Sequence, residues 1–193
     1  MFVAANNKYI IFICSLILCL MPYQSFAAKS KVKHIARIET TPKQVKKFSA
    51  WAVYKYKLNN HLVCYALSAP ISVSPSKLSK YRSYFLISRR PNLSADMANL
   101  LEPQFLSGYK LKPNSNVTLN VLSRQTKGKD FNMYVRNECA WLHSSAQEHN
   151  LITFMQKGAK LNVMAISDKN TKTNYSFSLM GLKKALREVR ACR

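Results

Sequence analysis

The stretch FSAWAVYKYKLNNHLVCYALSA, residues 48–69, decides the fold class of this chain. Its first half, WAVYKY (51–56), shows the period of two that places successive side chains on opposite faces of a β-strand. The second half, LVCYALSA (62–69), is apolar on both faces, as in a strand that is covered on both sides. Asn59 and Asn60 lie between the halves, and asparagine tolerates the left-handed backbone of a tight connection. The stretch therefore predicts a β-hairpin.

Alternation of the same kind recurs along the rest of the chain, with turn residues between the runs. It predicts further strands at residues 82–89, 117–121, 131–135, 161–165 and 175–179. The proline- and serine-rich residues 70–82 predict a loop. Residues 92–116 are less regular: a short strand or a helical turn is expected at 97–101, interrupted by Glu102 and Pro103, and one more short strand follows.

Two helices are predicted late in the chain. Ser145 and Glu148 fit a capping box at the start of the first helix, which should run to about Lys157 and end at Gly158 in a left-handed cap. The second helix follows Gly181, where apolar residues recur at helical spacing and basic residues face away from them. About seven or more strands with two added helices near the C-terminus predict a mainly β fold, a β-sandwich.

The first 27 residues have the layout of a secretory signal peptide. An apolar run, Tyr9–Leu20, follows a polar segment whose only formally charged side chain is that of Lys8. Ser25 and Ala27 are small residues at the two positions that a signal peptidase reads. About twelve apolar residues are too few for a comfortable membrane span of about twenty. We therefore expect cleavage after Ala27 and a periplasmic, secreted or cell-surface protein.

The remaining chain is strongly basic. Loss of the signal removes one of the 30 Lys and Arg and none of the 8 Asp and Glu, so the formal charge falls only from +22 to +21. Residues 28–47 (AKSKVKHIARIETTPKQVKK) are rich in Lys, contain no aromatic residue and predict a flexible basic arm. Residues 48–193 then form one domain. Such a positive field raises the local concentration of anionic partners.

Three cysteines remain after the signal, namely Cys64, Cys139 and Cys192. Thiols outside the cytoplasm tend to pair, and three cannot all pair within one chain. The preferred disulfide joins Cys64 to Cys192, because it ties the central hairpin to the C-terminus and closes a long loop, with Cys139 left as a free thiol. The other two pairings remain open from the sequence alone.

Basic residues beside aromatic ones, in the runs 54–57 and 80–82, are candidates for contact with an anionic partner, and arginine suits bidentate contact with phosphate or carboxylate. The candidate residues are Lys55, Lys57, Arg82, Arg89 and Arg90. The same pattern suits nucleic acid in a cytoplasmic protein. An exported protein meets lipid phosphates, lipopolysaccharide and acidic host glycans instead, so we expect anionic envelope or host-surface partners, peripheral membrane contact and no nucleic acid.

One local cluster, Cys139 with His143, Glu148 and His149, has residue types found in metal and nucleophile sites. A structural zinc site needs four ligands at tight spacing, and a catalytic thiol needs a positioned base and an orienting group. The carboxylates of the chain are scattered, with no local pair for acid–base hydrolysis. P-loop, GxGxxG and GxSxG motifs are absent. We therefore expect no enzyme, no metal and no cofactor.

Several stretches, in one consistent order along nearly all of the mature chain, resemble the invasion-associated locus B family of exported bacterial proteins. These are WAVY (51–54), CYALSAP (64–70), YFLISRRP (84–91), AWL (140–142), MQKG (155–158), and SLMGL (178–182) followed by Ala185 and Leu186. The resemblance implies an immunoglobulin-like β-sandwich, export to the periplasm or cell surface, and an association with host-cell invasion in some pathogenic members. It brings no enzymatic activity and no active-site residues to this chain.

The chain departs from the family pattern in two places: residues 95–112 look less like a clean strand, and Cys139 is an addition beside Trp141. Three functional hypotheses follow. The first is a non-enzymatic protein that binds anionic partners through a basic surface and contributes to host-cell invasion. The second is an envelope-maintenance or assembly factor in which Cys139 forms a mixed disulfide, and the third is a hydrolase that uses His143 and Glu148.

Overall fold

The computed structural model describes residues 41–58, 61–89, 100–123 and 128–192. Within these residues the chain forms eleven β-strands and two α-helices, so the predicted mainly β fold class is confirmed. The strands are β1 Lys43–Phe48, β2 Trp51–Leu58, β3 His61–Ser68, β4 Ser72–Ser74, β5 Tyr84–Arg89, β6 Leu101–Leu106, β7 Asn116–Leu122, β8 Lys129–Arg136, β9 Cys139–Trp141, β10 Lys160–Ile166 and β11 Lys172–Ser178. The helices are α1 Ser145–Lys157 and α2 Leu182–Ala191. The predicted signal, residues 1–27, lies outside the described residues.

All the strands hydrogen-bond into one antiparallel sheet in the order β1-β2-β3-β5-β6-β9-β8-β7-β10-β11-β4. The predicted hairpin is confirmed as β2 and β3, with Ala52 paired to Leu67 at one end and Leu58 to His61 at the other. Asn59 and Asn60, the expected connection, lie outside the described residues.

The sheet folds back on itself, so that strands from its two halves face each other across the core. Phe85 on β5 packs against Phe177 on β11 with ring centroids 5.9 Å apart. Phe105 on β6 packs against Tyr175 on β11 at 5.1 Å. Trp51 on β2 is fully buried, and its indole Nε1 donates a hydrogen bond to the Ser178 carbonyl at the end of β11. Two layers of strands therefore enclose one core, as in the predicted sandwich.

Both helices pack against the sheet and bury apolar residues in this core. In α2 the buried residues are Leu182, Ala185, Leu186 and Val189, the apolar stripe that its sequence spacing predicts. In α1, Leu151 and Met155 are fully buried. No helix among the described residues is both long enough and apolar enough to cross a membrane.

Three strands lie where the sequence predicts none: β9, and the two edge strands β1 and β4. Residues 43–47, assigned to the flexible arm, belong to β1 at the edge of the sheet. Ser72–Ser74, inside the predicted loop, form β4, and a short 3-10 helix, Ser76–Lys80, follows it. All three strands are short or largely exposed, so they lack the apolar alternation by which strands are recognised in a sequence.

Strand β6 overturns the expectation that Glu102 and Pro103 interrupt regular structure. Pro103 lies inside β6, paired with Ile87 of β5. On the other side, β9 pairs with β6 only from Gln104 onward. Pro103 therefore needs to donate no hydrogen bond to β9, which is the situation in which a strand tolerates proline.

The caps of α1 also differ from the prediction. The N-cap is Ser144 rather than Ser145, and its hydroxyl accepts a hydrogen bond from the backbone N–H of Gln147. Gly158 ends the helix with a φ of −82°, so the predicted left-handed cap is wrong. A Cβ at Gly158 would lie 2.6 Å from Val121 Cγ1, so close packing against β7 explains this glycine.

Candidate anion-binding site

Two of the predicted anion-contacting residues flank the disulfide. Cys64 and Cys192 are bonded, with their Cα atoms 6.4 Å apart, which is the pairing preferred from the sequence. Lys55 is exposed and pairs with Cys64 across β2 and β3. The guanidinium of Arg89, at the end of β5, donates a hydrogen bond to the Cys192 carbonyl. Arg89 therefore holds the backbone just after α2 in place.

The other predicted candidates lie elsewhere. Lys57 is exposed two residues beyond Lys55 on β2. Arg82 precedes β5 and so lies at the end of that strand opposite Arg89. Arg90 lies outside the described residues. The structure does not bring the four described candidates together in one site, and the contact of all five with anions stays a prediction.

Instead, the structure brings four other lysines together around one cavity of about 320 Å³, here called the lysine pocket. Its basic residues are Lys77, Lys80, Lys110 and Lys169. They come from three separate segments: the 3-10 helix, the loop after β6, and the turn between β10 and β11. Asp168 is the one carboxylate among the described residues that line it, so the pocket is strongly positive.

Backbone hydrogen bonds fix two of these segments to each other. The N–H of Asp168 donates to the carbonyl of Lys110 at 3.0 Å, and the N–H of Lys112 donates to the carbonyl of Ile166 at 2.8 Å. Leu111 and Ser167 form a β-bridge between the same segments. The backbone segments that carry Lys110 and Lys169 are therefore held together by hydrogen bonds, and the two lysine side chains are exposed.

Two tyrosines form one wall of the pocket. The Tyr109 hydroxyl donates to Thr173 Oγ1 at 3.1 Å and shares a hydrogen bond with the Tyr175 hydroxyl. Burial, more than any neighbouring group, raises the pKa of Tyr109, so its phenol is neutral at physiological pH. The Tyr81 ring packs edge-on against Tyr109 at 5.2 Å, and the Lys80 ammonium lies 5.4 Å from the Tyr81 centroid. The wall is aromatic and uncharged beside four cations.

Sequence reasoning found only one part of this pocket. The run Lys80–Arg82, two basic residues around an aromatic ring, supplies Lys80 and Tyr81. The sequence does not point to Lys77, Lys110 and Lys169, because they are far apart in the chain and meet only through the pairing of strands. No local pattern marks them as neighbours.

The residues considered for metal or thiol chemistry do not converge. The side chain of His143 is exposed and packs against the Tyr134 ring at 5.2 Å, while His149 is exposed and Glu148 is buried on α1. No group of three or more His, Cys, Asp and Glu residues in the described part of the chain is placed to hold a metal ion. Cys139 forms no disulfide, and burial, followed by the charge of Glu138, raises the pKa of its thiol. A raised pKa lowers the thiolate fraction that a mixed disulfide requires.

No family model and no curated protein matches the sequence. Among solved structures, the chain is similar to the crystal structure of invasion associated protein B from Bartonella henselae. The TM-score is 0.53 at 13% sequence identity, and the match covers 76% of this chain and 95% of that one. The two proteins therefore share a fold, which supports at the level of the fold the resemblance noted in the sequence.

Proposed function

We propose that this protein is an exported, non-enzymatic domain that binds anionic groups of envelope or host-surface molecules in the lysine pocket, and that this binding contributes to host-cell invasion. One observation carries the proposal: lysines from three separate segments line one cavity together with a single carboxylate. Scattered surface lysines give a diffuse positive field, whereas lysines around a cavity define a place for one ligand group.

Charge repulsion favours an occupied pocket. Ammonium groups around one cavity repel one another, and a phosphate, sulfate or carboxylate group placed among them replaces repulsion with charge-assisted hydrogen bonds. Tyr81, 36% exposed, offers an aromatic edge against which the carbon skeleton of a ligand can pack. The pocket therefore fits a ligand that combines negative charge with a less polar body, such as an acidic sugar.

Export is supported by two features of the chain. The first 27 residues have the layout of a cleaved signal, and disulfides such as Cys64–Cys192 persist in oxidising compartments. The part played in invasion is proposed by extension from the name of the structurally similar Bartonella henselae protein. At 13% identity that similarity concerns the fold, so the pocket itself has to be tested.

A glycan array probed at low and at physiological salt tests the binding. The mature protein should bind sulfated, phosphorylated or carboxylated glycans and ignore neutral ones, and added salt should weaken this binding. Replacing Lys77, Lys110 and Lys169 together by Gln should weaken it by about tenfold or more, even though exposed lysines are screened by solvent. Lys55→Gln, Lys57→Gln and Lys157→Gln together form the matched control, because they remove the same charge outside the pocket.

Comparing the two triple variants distinguishes binding at one site from a general attraction to net positive charge. Equal losses in both would show that only net charge matters and would contradict the lysine pocket. A larger loss in the control triple would point back to the residues predicted from the sequence. A bacterial strain that lacks the protein, complemented with the wild type or the pocket variant, tests the role in invasion through the number of intracellular bacteria.

A further inference from the structure

Met180 is an apolar side chain held out in solvent. It lies between β11 and α2 and is 70% exposed, the largest exposure among the large hydrophobic residues of the described chain. The neighbouring residues Leu179 and Leu182 are buried. Burial of apolar surface is favourable, so a methionine presented in this way marks a place where something else covers it.

Cations surround this methionine. Lys47, Lys183 and Lys184 line a cavity of about 530 Å³ together with Met180. Farther along α2, Arg187 and Arg190 are also exposed. At 100° per residue, Lys183, Arg187 and Arg190 lie within about 60° of arc on the helix, which is one face. Met180 with these five cations is called the Met180 edge below.

The backbone beneath the Met180 edge is fixed. The carbonyl of Met180 accepts a hydrogen bond from the N–H of Ala50 at 3.3 Å, so the loop is tied to the turn between β1 and β2. Gly181 has a φ of +92°, and a Cβ there would overlap the Phe48 carbonyl oxygen. The inner face of α2 is buried in the core. Met180 and its cations are thus presented together by a rigid support.

We propose that the Met180 edge docks peripherally on an anionic lipid bilayer. Lysines and arginines at a bilayer surface are attracted to the phosphates of anionic lipids, and a single apolar side chain can enter the boundary between headgroups and acyl chains. A soluble acidic glycan satisfies the cations equally well but gives Met180 nothing apolar to enter. The combination of exposed methionine and cations therefore favours a bilayer.

This docking goes beyond the ligand proposed for the lysine pocket and uses different residues. The lysine pocket lies at the turn between β10 and β11, whereas Met180 follows the opposite end of β11. The seven residues of β11 place these two sites roughly 20 Å apart along the strand. A protein docked through the Met180 edge therefore turns the lysine pocket away from the membrane.

Co-sedimentation with vesicles tests the docking, using the protein purified after export. Vesicles of phosphatidylcholine mixed with phosphatidylglycerol should bind the wild type, and vesicles of phosphatidylcholine alone should not. Each lysine near an anionic surface is worth about fivefold in partitioning, so Lys47→Gln, Lys183→Gln and Lys184→Gln together should lower it about 100-fold. Met180→Ser should lower it about tenfold without any change in charge.

The pocket variant with Lys77→Gln, Lys110→Gln and Lys169→Gln is the matched control, since it removes equal charge at the other end of β11. It should lose only a fewfold of its binding to vesicles while losing its binding to glycans. Equal loss in the two triple variants, or unchanged partitioning of Met180→Ser, would overturn docking through this edge. Docking through this edge would also be overturned if soluble heparin displaced the wild type and Met180→Ser from vesicles equally well. The cations would then prefer a soluble anion, and Met180 would play no part.

Discussion

The two ends of β11 carry the same kind of charge in different surroundings. At the turn end, lysines surround a concave cavity with tyrosines in its wall. At the other end, lysines surround a protruding methionine. Composition alone treats all these lysines as equivalent, and only the groups between them differ. A cavity with an aromatic wall favours a discrete ligand, whereas a projecting apolar tip favours an extended surface.

Loss of the disulfide should produce the largest difference in local stability between the two ends of β11. It joins residues 128 positions apart and attaches the C-terminus beyond α2 to β3. Replacing Cys64 and Cys192 together by Ala should lower the free energy of unfolding by about 4 to 5 kcal/mol, because the unfolded chain gains the entropy of an open loop. Urea denaturation monitored by circular dichroism measures this change.

Hydrogen exchange on the same variant shows where the loss is felt. Amides of α2, beside the Met180 edge, should exchange faster by a larger factor than amides of residues 167–171 beside the lysine pocket. Equal acceleration at both ends would mean that the sheet transmits the loss throughout, and the two ends would not be independent in stability.

Each end also contains a glycine with positive φ next to a carbonyl oxygen. Gly181→Ala should lower the free energy of unfolding by about 3 kcal/mol or more, because its Cβ has to displace the Phe48 backbone as well as adopt a left-handed conformation. Gly108→Ala, where φ is +73° and the Cβ would lie 2.8 Å from the Arg82 carbonyl oxygen, should cost less, about 2 kcal/mol.

Thermal and urea unfolding of these two glycine variants give the order of the effects. Gly128→Ala serves as the control, because its Cβ would contact the Asn120 side chain at 3.1 Å and φ there is not positive. A smaller cost at Gly181 than at Gly108 would show that the turn between β1 and β2 yields easily. The rigid support assumed for Met180 would then be wrong.

The sequence predicts what depends on neighbours along the chain. The β2–β3 hairpin and the apolar stripe of α2 follow from local periodicity, and both are confirmed. Strand β1 cannot be predicted from local periodicity, because five of its six residues are exposed and several are lysines, which is the pattern expected of a solvated arm. Its lysines suit an edge strand, where charge discourages pairing with another chain.

The lysine pocket cannot be predicted from local periodicity either, but for a different reason. Lys77 and Lys169 become neighbours only because β4 pairs with β11 at the far edge of the sheet. That pairing depends on a strand of three residues, too short to leave a pattern in the sequence. Convergence of charges from distant segments is a property of the register of strands, which a single sequence does not reveal.

Alkaline pH should lower the stability of the protein through Tyr109, at the lysine-pocket end. Its pKa is raised in the folded protein, so the unfolded chain loses this proton first as the pH rises past about 10, the ordinary value. The contribution of Tyr109 to stability is therefore complete below pH 10 and is lost progressively above it. Tyr109→Phe should make the fall in stability above pH 10 shallower, and urea denaturation at several pH values measures it.

The same variant has a cost at neutral pH. Loss of the hydrogen bonds to Thr173 and Tyr175 should lower the free energy of unfolding by about 1 kcal/mol. Tyr134→Phe is the control, since Tyr134 is 39% exposed and lies on the outer face of the sheet, away from the pocket. An alkaline profile of Tyr109→Phe that matches the wild type would mean that other groups control unfolding at high pH.

The smallest effect is expected from the ion pair between β1 and α2. Lys46 Nζ lies 2.8 Å from Glu188 Oε2, but the two side chains are 55% and 33% exposed. Solvent screens such a pair, so a double-mutant cycle with Lys46→Gln and Glu188→Gln should give a coupling of about 0.5 kcal/mol that disappears at high salt.

Glu188→Gln alone should also raise partitioning onto anionic vesicles severalfold, because it removes the one carboxylate on the outer side of α2. Lower partitioning of this variant would mean that the pair is needed to hold β1 against the helix, and that the Met180 edge depends on it for its shape rather than its charge.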